Sequence, residues 1–354
     1  MSRFAALAAV LALATPAGAQ TALPPGPEIK MTVVSQPGPA LPQYTAVDIP
    51  LLRDGVPARS NGRIKVELAS WPERNINGPE IIRLVRSGVV DVGAAPLVTL
   101  SGDVPFLDVV DLAGMNPTVE QARKVADAVR PEANKALARF NTRIVAIYPF
   151  PAQVLFCRAP IAKLSDLKGR KVRTAGGSLN DMISAAGGQP IGLGFPEVYG
   201  ALERGVIDCA VTGTGSGNGA RWYEVSKGMY ALPLSWGVAG YIANVSWLDK
   251  LAPPIKTFVE DTFKQVENAQ WEIGVRATED GIACNTGVAD GCKLGRLVER
   301  DPMTVTRPSE EDQALVRQYL KDAILPNFVK RCGTACGEQY NAIVAPITGV
   351  RFGG

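Results

Sequence analysis

The chain has 354 residues, 46% hydrophobic and 20% charged, with 37 lysines and arginines against 34 aspartates and glutamates. This composition is too apolar for a disordered chain, and a net charge of +3 argues against a nucleic-acid partner. The absence of histidine excludes Ser-His-Asp and Cys-His catalytic sites and imidazole-bound zinc, so binding is favoured over catalysis.

The first predicted element is an export signal. Arg3 precedes the apolar run 4–14, and the small residues 17–19 follow it. A run of about 11 residues is too short for a membrane span, which needs roughly 20. We therefore expect a signal peptide that is cleaved after Ala19. No later stretch of the sequence is long and apolar enough to cross a membrane.

Alternating and apolar runs predict strands at four places, residues 29–35, 63–69, 143–148 and 170–174. A helix is predicted over residues 118–140, interrupted or kinked at Pro131. A second, over residues 254–278, has its apolar side chains on one face and a length of roughly 37 Å. Ser309 and Asp312 form a capping pattern that opens a last helix to about residue 330.

An internal repeat predicts two similar α/β lobes. PEIIRLVRSGVVDVGA, from Pro79, and PEVYGALERGVIDCAV, from Pro196, share five identical residues, Pro, Glu, Gly, Val and Asp, at matching positions. Each copy has helical spacing up to the glycine and then a short β-like run. Such a unit is common when single, but two matching copies indicate a duplicated lobe.

Two Gly- and Pro-rich stretches, residues 36–43 and 212–219, each follow a predicted strand and are predicted to be loops. Ligands of α/β sheets collect at such loops, so one loop from each lobe would make a cleft. The second stretch, TGTGSGNGA, lacks the Lys of a phosphate loop, and Ser216 is not in a GxSxG motif. We therefore interpret it as a flexible glycine loop that lines the cleft.

The six cysteines agree with export. Cys284 with Cys292 and Cys332 with Cys336 would close small loops, which leaves Cys157 for Cys209. Six cysteines allow fifteen pairings, so the connectivity stays open at this point. A redox or metal site is the alternative, but the CxxC spacing typical of both is absent.

Arg173 is the first candidate for ligand binding. It alternates with its neighbours along a predicted strand that stops at a Gly-Gly pair. Its planar guanidinium offers paired donors that suit a carboxylate. A plain surface arginine is the alternative that composition alone favours.

Residues 166–213, DLKGRKVRTAGGSLNDMISAAGGQPIGLGFPEVYGALERGVIDCAVTG, resemble the core signature of solute-binding proteins of TRAP (tripartite ATP-independent periplasmic) transporters, the dicarboxylate-receptor family. A weaker resemblance runs from about residue 29 to about residue 330. It implies an α/β, two-lobed periplasmic-binding-protein-like fold with a ligand cleft between the lobes and a long helix spanning both. It also implies a periplasmic protein that binds organic acids and is not an enzyme.

By motif, the resemblance implies that Arg173 pairs with the ligand carboxylate and that Phe195 packs against the ligand. Thr212, with Gly213 beside it, falls where a polar side chain contacts the ligand. Gln153 stands where sialic-acid-type members have a second arginine, so a second fixed positive charge is missing.

Other positions depart from the family pattern or rest on local reasoning. Pro96 stands where sialic-acid-type members place an acidic residue, and Cys209 replaces the motif glycine. Trp236, with Trp71 and Tyr241, is an aromatic residue near a predicted strand end that could wall the cleft, although a place in the core is the commoner outcome for such residues.

The predicted domain organisation has a signal peptide at residues 1–19. Lobe I would comprise residues 20–149 with a return segment at about 237–265. Lobe II would comprise residues 150–236 and about 266–354, including the long helix and the C-terminal helix.

The sequence thus predicts a TRAP solute-binding protein that captures a small organic acid, by preference a monocarboxylate, with an aromatic body or a 2-oxo or 2-hydroxy group as options. Its partners would be the membrane permease subunits, and no metal, cofactor or catalytic residue is expected. An exported sensor and a hydrolase using paired carboxylates are the alternatives, and the oligomeric state is left open.

Overall fold

The structure is a computed structural model that describes residues 23–353. The predicted signal peptide and its cleavage after Ala19 lie outside these residues. Within them, no helix combines the length and apolar character that a membrane span requires.

The described part of the chain is a mixed α/β fold. Its strands are β1 (Ile29–Val34), β2 (Ile64–Ala69), β3 (Val92–Pro96), β4 (Thr142–Tyr148), β5 (Gln153–Cys157), β6 (Lys171–Thr174), β7 (Gln189–Gly192), β8 (Cys209–Gly213), β9 (Gly228–Ser235), β10 (Ala239–Asn244) and β11 (Thr304–Thr306).

The α-helices are α1 (Gly55–Arg59), α2 (Ile81–Ser87), α3 (Val119–Ala138), α4 (Gly177–Ala185), α5 (Val198–Glu203), α6 (Thr214–Gly219), α7 (Val245–Lys250), α8 (Pro253–Asn285), α9 (Glu310–Tyr319), α10 (Leu325–Cys332), α11 (Thr334–Ile343) and α12 (Ala345–Thr348). Two π-helical segments, Tyr44–Asp54 and Leu320–Ile324, and short 3₁₀ turns join them.

Within residues 23–353 the strands form two sheets, and we call the elements packed on each sheet lobe I and lobe II. The sheet of lobe I has the order β2-β1-β3-β10-β4, and that of lobe II has the order β11-β9-β5-β8-β6-β7. In lobe I, β1 pairs in parallel with β2 and β3, and β10 is antiparallel to β3. In lobe II, β6 pairs in parallel with β7 and β8, and β5 is antiparallel to β8. The two-lobed fold is as predicted, whereas the residue bounds of the lobes stay a prediction.

The sequence repeat corresponds to the same unit in both lobes. Helix α2 ends at Gly88 and leads to β3, and α5 leads through Gly205 to β8. Both glycines have positive φ, 75° and 69°, which glycine adopts without strain. In each lobe the repeat aspartate, Asp91 or Asp208, accepts a hydrogen bond of 2.8 Å from a backbone N–H of the neighbouring strand.

The long helix α8 has 33 residues, so it extends past the predicted end at residue 278 and measures roughly 50 Å. It packs on β4 of lobe I and on α6 of lobe II. Its later part was missed because Gly281 reads as a poor helix former. A Cβ at Gly281 would lie 2.3 Å from the backbone N of Gly215, so the glycine is there to let α6 approach.

The prediction that residues 212–219 form a flexible loop is wrong. Thr212 and Gly213 end strand β8, and Thr214–Gly219 is the short helix α6, of which only the last residue is partly exposed. A Cβ at Gly217 would lie 2.4 Å from the Phe156 ring. The glycines therefore permit close packing, which glycine frequency alone does not distinguish from flexibility.

Three smaller predictions need correction. Helix α3 continues through Pro131 without interruption. In the predicted loop 36–43, residues from Pro42 onward are already helical. The last predicted helix, capped by Ser309 as expected, includes a π-helical segment and runs to Cys332, and the two helices beyond it were not predicted.

All three predicted disulfides are present, Cys157–Cys209, Cys284–Cys292 and Cys332–Cys336. The first joins residues directly opposite each other on the antiparallel strands β5 and β8.

Candidate ligand-binding site

A cavity of about 540 Å³ lies between the two lobes. Lobe I contributes the ends of β1 and β3 and the turns that follow β2, and lobe II contributes the ends of β6, β7 and β8 with the start of α4. Four predicted site residues line it, namely Gln153, Arg173, Phe195 and Thr212. The cavity therefore occupies the region beyond the strand ends where α/β sheets bind ligands.

Arg173 is in β6, between β7 and β8, and is only 5% exposed. Its Nε donates to the carbonyl of Leu193 and its Nη1 to the carbonyl of Val211, both at 2.9 Å. These two bonds fix the plane of the guanidinium. Burial lowers the pKa of Arg173 to about 10, so the group remains charged at neutral pH.

Among residues 23–353, no carboxylate forms an ion pair with Arg173. Two neutral carbonyls satisfy part of its donor set, but they carry no negative charge. Glu197 acts on Arg173 coulombically without forming an ion pair. A buried charge without an ion-pair partner is costly, and the cost falls when an anion binds. Arg173 therefore offers an anion the remaining donors of its fork.

Gln153 is the first residue of β5. This strand pairs with β8, which also pairs with β6, the strand of Arg173. Gln153 Nε2 donates to the carbonyl of Pro151 at 2.8 Å, and Gln153 lines the cavity. Gly213 is not a lining residue, but a Cβ there would lie 3.1 Å from Gln153 Nε2, and one at Gly237 would lie 2.9 Å from it. The contribution of Gly213 is thus to leave room for the Gln153 side chain.

Thr212, 4% exposed, lies in β8 and lines the cavity. Phe195 begins a 3₁₀ turn, and its ring lies 5.3 Å from that of Trp222. Phe195 also packs against two hydrophobic clusters of the described chain, one within lobe I and one that spans both lobes. It is therefore an aromatic bridge at the boundary between the lobes.

Trp236 and Tyr241 do not line the cavity. The indole Nε1 of Trp236 donates to the carbonyl of Asn116 at 2.9 Å. Tyr241 is fully buried in lobe I, where its hydroxyl donates to Asp48. The ligand roles of Trp236 and of the lining residues stay predictions.

Sequence reasoning gave too little weight to Trp71 and missed Asp111 and Ser216, all of which line the cavity. Trp71 is 3% exposed and its Nε1 donates to the carbonyl of Ala94 at 3.0 Å. The Ser216 hydroxyl is buried without a hydrogen-bond partner. The sequence offered one signal for this site, because Asp111 is an acidic residue between the apolar residues Val110 and Leu112.

Asp111 accepts hydrogen bonds from the backbone N–H groups of Trp236, at 2.8 Å, and Val238, at 3.3 Å. Burial raises the pKa of Asp111 to about 6, although these hydrogen bonds act in the opposite direction. At neutral pH the Asp111 carboxylate is charged, so it gives the lobe I side of the cavity a negative potential.

One cluster has a composition that suits a metal, Asp280 with Cys284 and Cys292. The two cysteines are joined to each other, and the Asp280 carboxylate accepts backbone N–H groups of Leu294 at 2.9 Å and Gly295 at 3.0 Å. These contacts show a carboxylate that caps a turn, so the cluster is structural.

Residues 35–321 match the family described as DctP, bacterial extracellular solute-binding protein, family 7. Two relatives are the uncharacterized protein YiiZ of Salmonella typhimurium, 26% identical over 63% of this chain and 70% of the relative, and the 2,3-diketo-L-gulonate-binding periplasmic protein YiaO of Escherichia coli, 24% identical over 60% and 65%. The match thus spans about two thirds of each relative.

Solved structures share the fold. DctP7 of Bordetella pertussis, an extracytoplasmic solute receptor binding pyroglutamic acid, has a TM-score of 0.75 at 22% identity and covers 89% of this chain and 99% of its own. A TRAP solute-binding protein of Desulfovibrio salexigens with orotic acid has a TM-score of 0.77 at 18% identity, covering 90% and 99%. One from Sulfurospirillum deleyianum with succinate has a TM-score of 0.76 at 19%, covering 90% and 100%.

Proposed function

The chain belongs to family 7 of the bacterial extracellular solute-binding proteins, which are binding proteins rather than enzymes, and from this membership we propose that it captures a small monocarboxylate outside the cytoplasm for a TRAP transporter. The membrane permease subunits of that transporter are its proposed partners. Closure of the two lobes around the ligand is the proposed mechanism, with contacts made only in the closed state supplying the energy.

The observation that carries this proposal is the single basic residue of the cavity wall. Arg173 is buried and lacks a carboxylate partner within the described chain, while the two other charged lining residues, Asp111 and Glu197, are acids. One carboxylate of a ligand would complete the donor set of Arg173. A second carboxylate would meet neutral or negative groups, and desolvating it without a partner costs several kcal/mol.

The ligands of the related structures include both monocarboxylates and a dicarboxylate. Pyroglutamic acid and orotic acid each have one carboxyl group, whereas succinate has two. The charge pattern of this cavity favours the first class. A 2-oxo or 2-hydroxy group beside the carboxylate would find hydrogen-bond partners in Gln153 and Thr212.

A thermal-shift screen of organic acids tests the proposal. Small monocarboxylates are expected to raise the melting temperature. C4-dicarboxylates, and the large polar monocarboxylates of the sialic-acid class, are expected to leave it unchanged. A ligand at 100 times its Kd adds about 2.7 kcal/mol of stability, which is a measurable shift. If succinate or malate stabilised the protein while every monocarboxylate failed, the proposal would be wrong, and a second basic residue would have to reach the cavity.

A further inference from the structure

The cavity wall is chemically divided between the lobes. On the lobe II side, Arg173 has donors that no protein carboxylate uses, and the Ser216 hydroxyl is buried without a partner. The lobe I side is largely apolar. Its lining side chains without a polar atom are Pro37, Pro79, Pro96, Val98, Phe150 and Val238.

The side-chain hydrogen-bond donors on the lobe I side are already used. Trp71 Nε1 donates to a backbone carbonyl at 3.0 Å, and the hydroxyls of Thr99 and Ser101 each donate at 2.7 Å to a carbonyl three residues earlier. Asp111 accepts its hydrogen bonds from backbone N–H groups and from Asn116. Hydrogen bonding to a ligand is therefore concentrated on lobe II, and lobe I offers mainly nonpolar surface.

Trp71 is the largest side chain among the lobe I residues that line the cavity. Gly78 lies directly beside its ring, because a Cβ at Gly78 would lie 2.6 Å from ring atom Cη2. The glycine thus provides the space that the indole occupies, and the bonded Nε1 holds the ring in place. The ligand meets an indole whose only donor is already used.

We propose that the ligand is a monocarboxylate with a bulky apolar body, an aromatic ring or a hydrocarbon chain of about five or more carbons, which packs on Trp71 and Val98 while its carboxylate binds Arg173. This inference rests on the proposed function and names its substrate class. The cavity volume of about 540 Å³ agrees, since cavities of ~300–1,000 Å³ bury drug-sized ligands. A two- or three-carbon acid would leave the lobe I wall uncovered.

Calorimetry on the mature protein with a graded series tests this inference. The probes are propanoate, butanoate, pentanoate, hexanoate and 3-phenylpropanoate, with lactate as the short polar competitor. Each buried methylene is expected to lower Kd roughly fourfold. Hexanoate and 3-phenylpropanoate should therefore bind far more tightly than propanoate and lactate.

Variants test whether the dependence of Kd on chain length arises from the lobe I wall. Trp71→Ala and Val98→Thr should flatten the dependence of Kd on chain length, so that hexanoate loses more affinity than propanoate does. Val98→Thr conserves shape, so it serves if the tryptophan variant does not fold. Trp247→Ala, a half-buried tryptophan in α7 that does not line the cavity, is the matched control and should retain the full dependence.

The outcomes separate the two proposals. A Kd that does not improve with chain length, or lactate binding more tightly than hexanoate, overturns this inference while Arg173-dependent binding of monocarboxylates persists. Failure of every monocarboxylate to bind, or binding that does not depend on Arg173, overturns the proposed function itself.

Discussion

At the residue scale, burial and orientation are the reasons for proposing that Arg173 binds the ligand carboxylate. Two backbone carbonyls at 2.9 Å fix its guanidinium, and no described acid forms an ion pair with it, although Glu197 acts on it coulombically. A lysine would place a single point charge there, without the planar pair of donors. Geometry as well as charge should therefore matter for binding.

Arg173→Ala is expected to weaken binding of the best monocarboxylate by on the order of 2–5 kcal/mol, and Arg173→Lys by a smaller but clear amount. Isothermal titration calorimetry measures both. Arg74→Ala is the control, since Arg74 is exposed and does not line the cavity. Wild-type affinity in Arg173→Ala, or a loss of affinity in Arg74→Ala, would contradict the assignment.

Asp48 is a second buried charge, and it serves the fold of lobe I. Its carboxylate accepts hydrogen bonds from Gln36 at 2.9 Å, from Gln270 at 2.8 Å and from the Tyr241 hydroxyl. Burial nevertheless raises the pKa of Asp48 to about 6 from its ordinary value of 3.8. Because the folded state holds this proton more tightly than the unfolded state, the group favours folding at low pH.

The raised pKa of Asp48 should make the free energy of unfolding depend on pH. Between about pH 4 and pH 6 the unfolded chain has lost the proton and the folded chain keeps it, so this group's contribution to stability falls as pH rises. Relative to Asp48→Asn, the unfolding free energy of the wild type should fall by up to ~1.4 kcal/mol per pH unit in this window. Urea unfolding at pH 4.5, 5.5 and 6.5 measures it; a pH-independent difference would contradict the assignment.

At the element scale, the lobes depend on glycines that let helices approach closely. Helix α6 lies against α8 with Gly215 and Gly281 facing each other, and against the Phe156 ring at Gly217. A side chain at Gly217 or Gly281 has no space to occupy, and a Cβ at Gly215 would lie 3.2 Å from the carbonyl oxygen of Ala277. The buried face of α6 is thus determined by its partner α8 and not by its own helix propensity.

Gly281→Ala is expected to destabilise the protein, although alanine gains ~1 kcal/mol in helix propensity. The new Cβ would meet the backbone of α6, and overpacking costs ~1–3 kcal/mol or more. Gly102→Ala is the matched control, because nothing lies within 4 Å of a Cβ there. Equal urea midpoints for the two variants would show that α6 can move away at no cost.

The sequence pattern was enough for strands β1, β2, β4 and β6, for the repeat and for the disulfides, because alternation, glycine stops and close cysteine spacing are local signals. It was not enough for α6, where glycines that serve packing resemble glycines that serve flexibility. Arg173 was identified by a motif. Trp71 was undecided because a buried tryptophan lies in the core or at a cavity according to tertiary contacts that the local sequence does not contain.

At the scale of the whole molecule, the lobes touch on two sides of the cavity. A Cβ at Gly176 would lie 2.0 Å from Val98 Cγ2, and one at Gly219 would lie 2.9 Å from the carbonyl oxygen of Ala40. Arg331 of α10 adds a third link by pairing with Asp108 at 3.1 Å and with Asp181 of α4 at 2.7 Å. The structure is therefore a state in which the two lobes are in contact around the cavity.

Gly219→Val should hold the lobes apart without contacting the ligand, since Gly219 does not line the main cavity. We expect the Kd of the Gly219→Val variant for its ligand to rise about tenfold or more. The new side chain would displace one lobe from the other, and this displacement, at a cost of ~1–3 kcal/mol, opposes closure. Small-angle X-ray scattering should also show a smaller ligand-induced decrease in radius of gyration. Gly102→Val is the control; an unchanged Kd and an unchanged decrease for Gly219→Val would contradict this view of closure.

The central claim is that one buried arginine selects an acid with one carboxylate. Mass spectrometry of small molecules released from the purified, denatured protein tests it most directly, with wild type and Arg173→Ala prepared in parallel. We predict that the wild type releases an organic acid with a single carboxyl group and that the variant releases less than about a tenth of that amount, in line with a loss of at least ~2 kcal/mol. A dicarboxylate, a compound without a carboxyl group, or equal amounts from both proteins would contradict the account.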